Sequence, residues 1–212
     1  MNKIKEKWSN KLFLEEVNSV LKLLMQKGAE IKDIDLSGII IATNSPIKQL
    51  QNAHLYQSKL SNVNMSHSLI SCFADVSLWN CVDFSETIFD RCTMCKSNIT
   101  KCNFKKSKLV VNADDSIFSD CNFTRAKIGI GTYGHEYGGR RTKFYNCDFT
   151  DAEFKNVEFR ASMFCNCDFT GTRFISCDLR GAKFDGNEPT IEQYERMIIP
   201  EMIPEHNISN QR

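Results

Sequence analysis

At 212 residues the chain is long enough for one domain with a sizeable core. A charged fraction of 25% with a net charge of only +1 excludes a disordered polyelectrolyte. No apolar run reaches the length of a membrane span, so no membrane partner is expected.

Residues 1–30 are predicted to be helical. Met1 to Asn10 is basic, but Glu15, Glu16 and Asn18 interrupt the apolar residues that follow. A secretory leader is therefore not expected, and a cytoplasmic location is. From Ser9 to Lys27 the apolar residues Leu12, Phe13, Val17, Val20, Leu21, Leu24 and Met25 recur at the helical period. Ser9 is the expected N-cap and Gly28 the expected stop.

Residues 31–187 keep a different beat. Phe144, Phe149, Phe154, Phe159, Phe164, Phe169, Phe174, Leu179 and Phe184 lie five apart without a slip. Two residues before each stands Thr142, Cys147, Ala152, Val157, Ser162, Cys167, Thr172, Cys177 or Ala182, all small or β-branched. A period of five suits neither a helix nor a continuous strand. Within each repeat, however, the small and large residues are two apart and can both point inward along a short flat segment. A turn must then reset the phase, because an odd step would send the next pair outward. Repeated turning winds the chain into a coil.

The same beat extends upstream. Leu36 and Ile41 read as the first repeats, before an interruption at Asn44-Ser45-Pro46. Leu50, Leu55, Leu60, Met65 and Ile70 keep one phase; Phe84, Phe89, Met94, Ile99, Phe104 and Leu109 keep a second; Phe118, Phe123 and Ile128 keep a third. The phase shortens by one between Ile70 and Trp79 and again between Leu109 and Phe118, with Ala74 and Ala113 as candidate under-filled centres. Bulges or tightened corners are expected there.

Segments such as Cys147-Asp148-Phe149-Thr150-Asp151, Cys167-Asp168-Phe169-Thr170-Gly171 and Cys177-Asp178-Leu179-Arg180-Gly181 resemble the pentapeptide-repeat family. The resemblance covers roughly residues 34 to 186. It implies an all-β fold, a right-handed quadrilateral β-helix with four repeats per coil, here with short α-helices at the N- and C-terminal ends. Residue n then lies under n+20, and Phe144, Phe164 and Phe184 share a column. An open solenoid end needs a cap, which is the expected role of the first helix.

Seven cysteines, Cys72, Cys92, Cys102, Cys121, Cys147, Cys167 and Cys177, occupy the small inward slot and are read as buried hydrophobes. Cys92-Thr93-Met94-Cys95 is formally CxxC, but its two thiols should point to opposite sides and no second pair follows, so no metal is expected. Cys81, Cys95 and Cys165 are the candidate exposed thiols.

One segment breaks the repeat. Ile128 and Phe144 are 16 apart, so roughly 11 residues are expected to leave the coil within 129–141. Tyr133, His135, Tyr137, Arg140 and Arg141 are the candidate partner-binding residues in this Gly-rich insertion. Deletion of 130–141 is expected to leave the fold intact. Gly129-Ile130-Gly131-Thr132-Tyr133-Gly134 matches GxGxxG, but it lacks the βαβ context of a nucleotide site, and no cofactor is expected. Residues 188–212 end the chain. Ile191, Tyr194, Met197 and Ile198 lie at helical spacing before Pro200 and either cap the second end or pair two copies in a homodimer. Some members of the topoisomerase-binding branch of the family dimerise through a C-terminal helix, and this segment is similar in placement, so the resemblance leaves both uses open.

No catalytic residue is expected. Of His54, His67, His135 and His206 only His135 falls in a candidate loop, and no nucleophile stands beside a base at motif spacing. Asp148, Glu153, Glu158, Asp168 and Asp178 read as solvated faces of the coil. The expected function is non-enzymatic protein–protein interaction with an unidentified partner. The alternative implied by the resemblance is a quinolone-resistance type of protein that binds DNA gyrase or topoisomerase IV. Its expected DNA-like surface is not evident in the composition, because residues 31–185 hold 19 Lys and Arg against 17 Asp and Glu. A basic stretch, Lys96, Lys101, Lys105, Lys106 and Lys108, extended by Arg125, Lys127, Arg140, Arg141 and Lys143, is read as a solvated face rather than a nucleic-acid site.

Overall fold

The computed structural model describes residues 4, 6–129 and 137–196. Two eight-stranded parallel sheets face each other across the coil. The first runs from Glu30–Asp35 through Lys59–Asn64 to Lys183–Asp185, and the other from Ile40–Ile41 to Tyr194–Glu195. These are the first and third faces. The second and fourth are narrower, joined mainly by single bridges such as Asp148 to Asp168 and Glu158 to Asp178. The chain is thus the expected all-β, four-sided solenoid.

The ladder is built by the five-residue repeat. On the first face Ile31, Leu60, Trp79, Ile99, Phe118, Phe144, Phe164 and Phe184 stand in one register column. Ile31 precedes the first repeat read from the sequence. Along a column the rings lie nearly parallel: Phe144 and Phe164 are 4.9 Å apart at 8°. Between neighbouring faces they meet edge to face, as Phe144 and Phe149 do at 5.4 Å and 76°. Both geometries suit the aromatic quadrupole.

The small inward residue has a second task. The carbonyl of Phe149 accepts the turn N–H of Ala152 at 2.8 Å and the Thr172 hydroxyl of the next coil at 2.8 Å. Ala113 is served likewise by the Ser116 N–H and the Thr142 hydroxyl. The turn N–H takes one lone pair of the buried corner carbonyl and the small hydroxyl takes the other. Cys147 and Cys177 place their thiols over the carbonyls of Phe118 and Phe154 in the same way. Cys92, Cys102, Cys121, Cys147, Cys167 and Cys177 are buried and Cys72 half-buried, all as free thiols.

Turning is done by the residue two after each centre, which adopts a positive φ: 52° at Asn146, 56° at Asp151, 52° at Asn166. Asn and Asp tolerate this region best among residues with a side chain. The acidic residues just before the centres also serve the turn. Asp148 and Asp168 accept the N–H of Thr150 and Thr170, each at 2.8 Å. They are turn residues rather than simply solvated charges.

Every departure from the period falls at one corner, between the third and fourth faces. Ala74 and Ala113 are buried centres of the fourth face, each only four residues beyond its predecessor, Ile70 or Leu109. These two corners lack a positive-φ residue, and the ladder slips by one between Asp90 and Cys92 where they are paired to the next coil. The other two departures are insertions. Ile41 pairs with Ile70, 29 residues on, which puts nine extra residues before Leu55. Phe118 pairs with Phe144, 26 residues on, against 20 for Phe144 and Phe164, which puts six extra residues after Ile128. Leu50 therefore keeps the beat without being a repeat centre; it is buried from the short turn Lys48–Gln51.

Both ends differ from expectation in detail. The first helix is Lys11–Leu23, and its N-cap is Asn10, whose side chain accepts from Leu12 N and Phe13 N. Asn10 wins over Ser9 because Ser9 still lies in the short turn Lys7–Ser9. The helix ends at Leu24, before Gly28, because the backbone there begins to pair with the coil: His54 donates to Leu24, and Gly28 donates to Tyr56. Val17, Leu21 and Leu24 join the core of the first coil, whereas Leu12 faces away. At the other end the expected helix over 189–199 is absent from the described part. Ile191–Gln193 is a single 3-10 turn and Tyr194–Glu195 is a strand. Tyr194 continues the column of Phe174, at 5.5 Å, so sheet pairing overrides the helical spacing. Met197 and Ile198 lie outside the described residues.

Candidate interaction surface

The Gly-rich segment is shorter as an insertion than its composition suggests. Gly139 is a repeat centre without a side chain: a Cβ there would sit 2.7 Å from the Phe159 ring above. Tyr137–Gly138 pairs with Val157–Glu158, and the N–H groups of Ala113 and Asp115 donate to Gly138 and Arg140. Residues 137–141 therefore belong to the coil, and deletion of 130–141 would remove one side of it. Gly129 closes the other side. Its φ is 127°, and a Cβ would lie 1.9 Å from the carbonyl oxygen of Lys155. This glycine of the GxGxxG match thus has a packing role. Tyr133 and His135 lie outside the described residues.

Arg140 and Arg141 hold the re-entering chain. The Arg140 guanidinium meets Asp114 Oδ2 at 2.6 and 2.8 Å, while its backbone N–H donates to Asp114 Oδ1 at 2.9 Å. Arg141 donates to both carboxylate oxygens of Asp115, at 2.6 Å to Oδ1 and 2.8 Å to Oδ2. Each guanidinium pKa is raised by its carboxylate, and Arg141 lowers that of Asp115. Both candidate contact residues are thus already engaged inside the chain.

The pairing continues along the fourth face. Arg160 and Arg180 occupy the outward position of Arg140, one and two coils on. Arg160 pairs with Glu158 and Asp178, and Arg180 meets Asp178 at 2.6 Å. The Arg180 hydrogen bond is the main cause that lowers the Asp178 pKa. Glu158 and Asp178, read from the sequence as solvated faces, are instead buried at 8% and 5% exposure because these arginines cover them, and the 20-residue spacing of the arginines is visible in the sequence.

Two further features border this face. Phe73, Val76 and Leu78 are 67%, 42% and 52% exposed within one turn of the coil. The nine-residue insertion and the N-terminal segment enclose a hollow of about 610 Å³, lined by Trp8, Leu14, Ile40, Pro46, Ile47 and Lys48 among others. Among the described residues no group of three or more His, Cys, Asp or Glu is placed to hold a metal ion, and no helix is long and apolar enough to cross a membrane.

The repeat itself is matched by two family descriptions. A pentapeptide repeat region is matched over residues 140–199, and pentapeptide repeats (8 copies) over residues 80–110. No curated protein matches the chain. Among solved structures, a trypsin-treated variant of QnrB1, a plasmid-mediated fluoroquinolone resistance protein, is 12% identical, with 76% of this chain and 84% of that one covered and a TM-score of 0.48. HetL, a pentapeptide repeat protein involved in heterocyst differentiation regulation from the cyanobacterium Nostoc sp. Strain PCC 7120, is 15% identical, with 80% and 85% covered and a TM-score of 0.33. Rfr23, from the cyanobacterium Cyanothece 51142, is 10% identical, with 81% and 97% covered and a TM-score of 0.23. With its repeats matched in two separate stretches and stacked into one four-sided coil, this chain is a pentapeptide-repeat protein.

Proposed function

We propose that this chain is a non-enzymatic, cytoplasmic protein-binding module whose fourth face, with the insertion beside it, contacts a protein partner. One observation carries the reading: all four irregular corners lie along a single edge of an otherwise regular coil. A core of stacked rings makes a stiff scaffold, and departures from a stiff scaffold are where binding residues concentrate. The chain leaves that edge after Gly129 and rejoins it at Tyr137, and the candidates Tyr133 and His135 lie between these two points in the sequence. Phe73 supplies exposed apolar area beside the fourth-face centre Ala74, and Leu78 adds to it from the adjoining first face. Free thiols at all ten cysteines suit a reducing compartment.

The test removes residues 130–135, six positions, which restores the regular coil pitch across the insertion. The variant should keep the thermal transition of the native protein and lose its partner in affinity capture. Undiminished capture by the folded variant would refute a role for the insertion. DNA gyrase and topoisomerase IV are the first purified partners to assay, by supercoiling with and without a fluoroquinolone. Inhibition or drug rescue identifies the partner; no effect at micromolar protein removes topoisomerases from consideration. Sedimentation of the chain with and without residues 197–212 tests a homodimer through its last segment.

A further inference from the structure

The basic stretch read from the sequence does not stay together in space. Lys96 and Lys101 lie at two other corners, at the positive-φ positions after Met94 and Ile99. Lys143 is on the first face. Five cations do converge at the corner between the second and third faces: Lys105, Lys106 and Lys108 in one coil, Arg125 and Lys127 in the next. All five are exposed. The Lys106 N–H donates to Thr124, beside Arg125, and Lys108 is the register partner of Lys127. The two rows are thus about 4.8 Å apart, the spacing of neighbouring strands.

Lys106 is partly compensated by Glu86 at 3.8 Å, and Arg125 by Asp151 at 3.3 Å. Lys105, Lys108 and Lys127 have no ion pair among the described residues. Like charges placed directly opposite in a sheet destabilise it, so the Lys108–Lys127 pair costs stability in the isolated chain. An anionic partner would relieve that cost. The patch is short. Glu86 borders it in the coil before, and Asp151 and Glu153 border it in the coil after, Glu153 directly in register with Lys127. A phosphate backbone running along the axis would meet these carboxylates within one coil on either side. A compact cluster of carboxylates on a protein would not.

We propose that this corner, Lys105, Lys106, Lys108, Arg125 and Lys127, is a docking site for a short acidic segment of a protein partner. It is separate from the fourth face and does not depend on the function proposed for the insertion. The test uses the full chain and fluorescence anisotropy with two labelled probes, a short polyglutamate peptide and a single-stranded oligonucleotide of equal charge. The peptide should bind in low salt and weaken as salt rises. Lys108→Glu/Lys127→Glu should bind the peptide about tenfold more weakly or worse, whereas Lys143→Glu/Lys183→Glu, with the same change in net charge, should bind it as the native chain does. The single change Lys108→Glu should weaken binding yet raise the thermal midpoint, because it turns a repulsive pair into an attractive one. Three results would overturn the proposal: no peptide binding in low salt, equal loss in both double variants, or tighter binding of the oligonucleotide.

Discussion

Many turn positions hold a residue with a side chain in the left-handed region, and Val76, at a φ of 60°, is the one β-branched residue among those described; Ala161, at 55°, is a turn position filled by Ala where the next coil has Gly181. The left-handed region costs an L-residue roughly 1–2 kcal/mol. Val76→Gly and Ala161→Gly should therefore each raise the thermal midpoint, by about 1 kcal/mol of stability, less the entropy glycine adds to the unfolded chain. Thiol reactivity is a second residue-scale prediction. Cys81 is exposed, whereas burial, Asp75 and Asp114 push the Cys95 thiol up to about 11. Alkylation followed by mass spectrometry should modify Cys81 first and Cys95 later, and should reach the thiols of Cys147 and Cys177 only after unfolding. The occupants of the small slot were legible in part. Thr142, Ala152, Ser162, Thr172 and Ala182 alternate with Cys147, Val157, Cys167 and Cys177, so hydroxyl or Ala sits on the two wide sheets and thiol or Val on the two narrow faces. That alternation is present in the sequence, but its meaning requires knowing that every second repeat belongs to a wide sheet.

At the scale of the coil, stability rests on columns. Phe154 is fully buried between Ile128 and Phe174, with its ring 4.9 Å from Phe174. Phe154→Ala should cost about 3–5 kcal/mol, read from the shift in thermal or denaturant midpoint. The fourth-face ion pairs add a pH dependence. The pKa values of Asp115 and Asp178 are lowered by arginine partners, so their contribution is present above the unfolded carboxylate pKa of about 3.9. It is lost as pH falls through the lower folded values. The midpoint should therefore hold between neutral pH and about 5 and fall below about 4, and Asp178→Asn should flatten that fall. Element boundaries were less legible than the beat. The spacing of Ile191 and Tyr194 fits a helix, yet Tyr194 also lies 20 residues after Phe174, and the available sheet edge decides the conformation.

Across the whole molecule the sequence determined the repeat, the residues of the ring columns and the inward slot, because each follows from a period that needs no knowledge of distant contacts. The tertiary structure decided which coil lies on which. That depends on the lengths added or removed at one corner: the offset is 20 between regular coils, 19 across each shortened corner, 26 across the Gly-rich segment and 29 across the first coil. From these offsets come the pairing of Arg140 with Asp114 and of Arg141 with Asp115, the gathering of five cations at one corner, and the alignment of every irregular corner along one edge. Gly139 shows the physical reason most simply. A repeat centre is recognised in a sequence by its side chain, and here the centre has none, so only the coil stacked above and below it reveals its place.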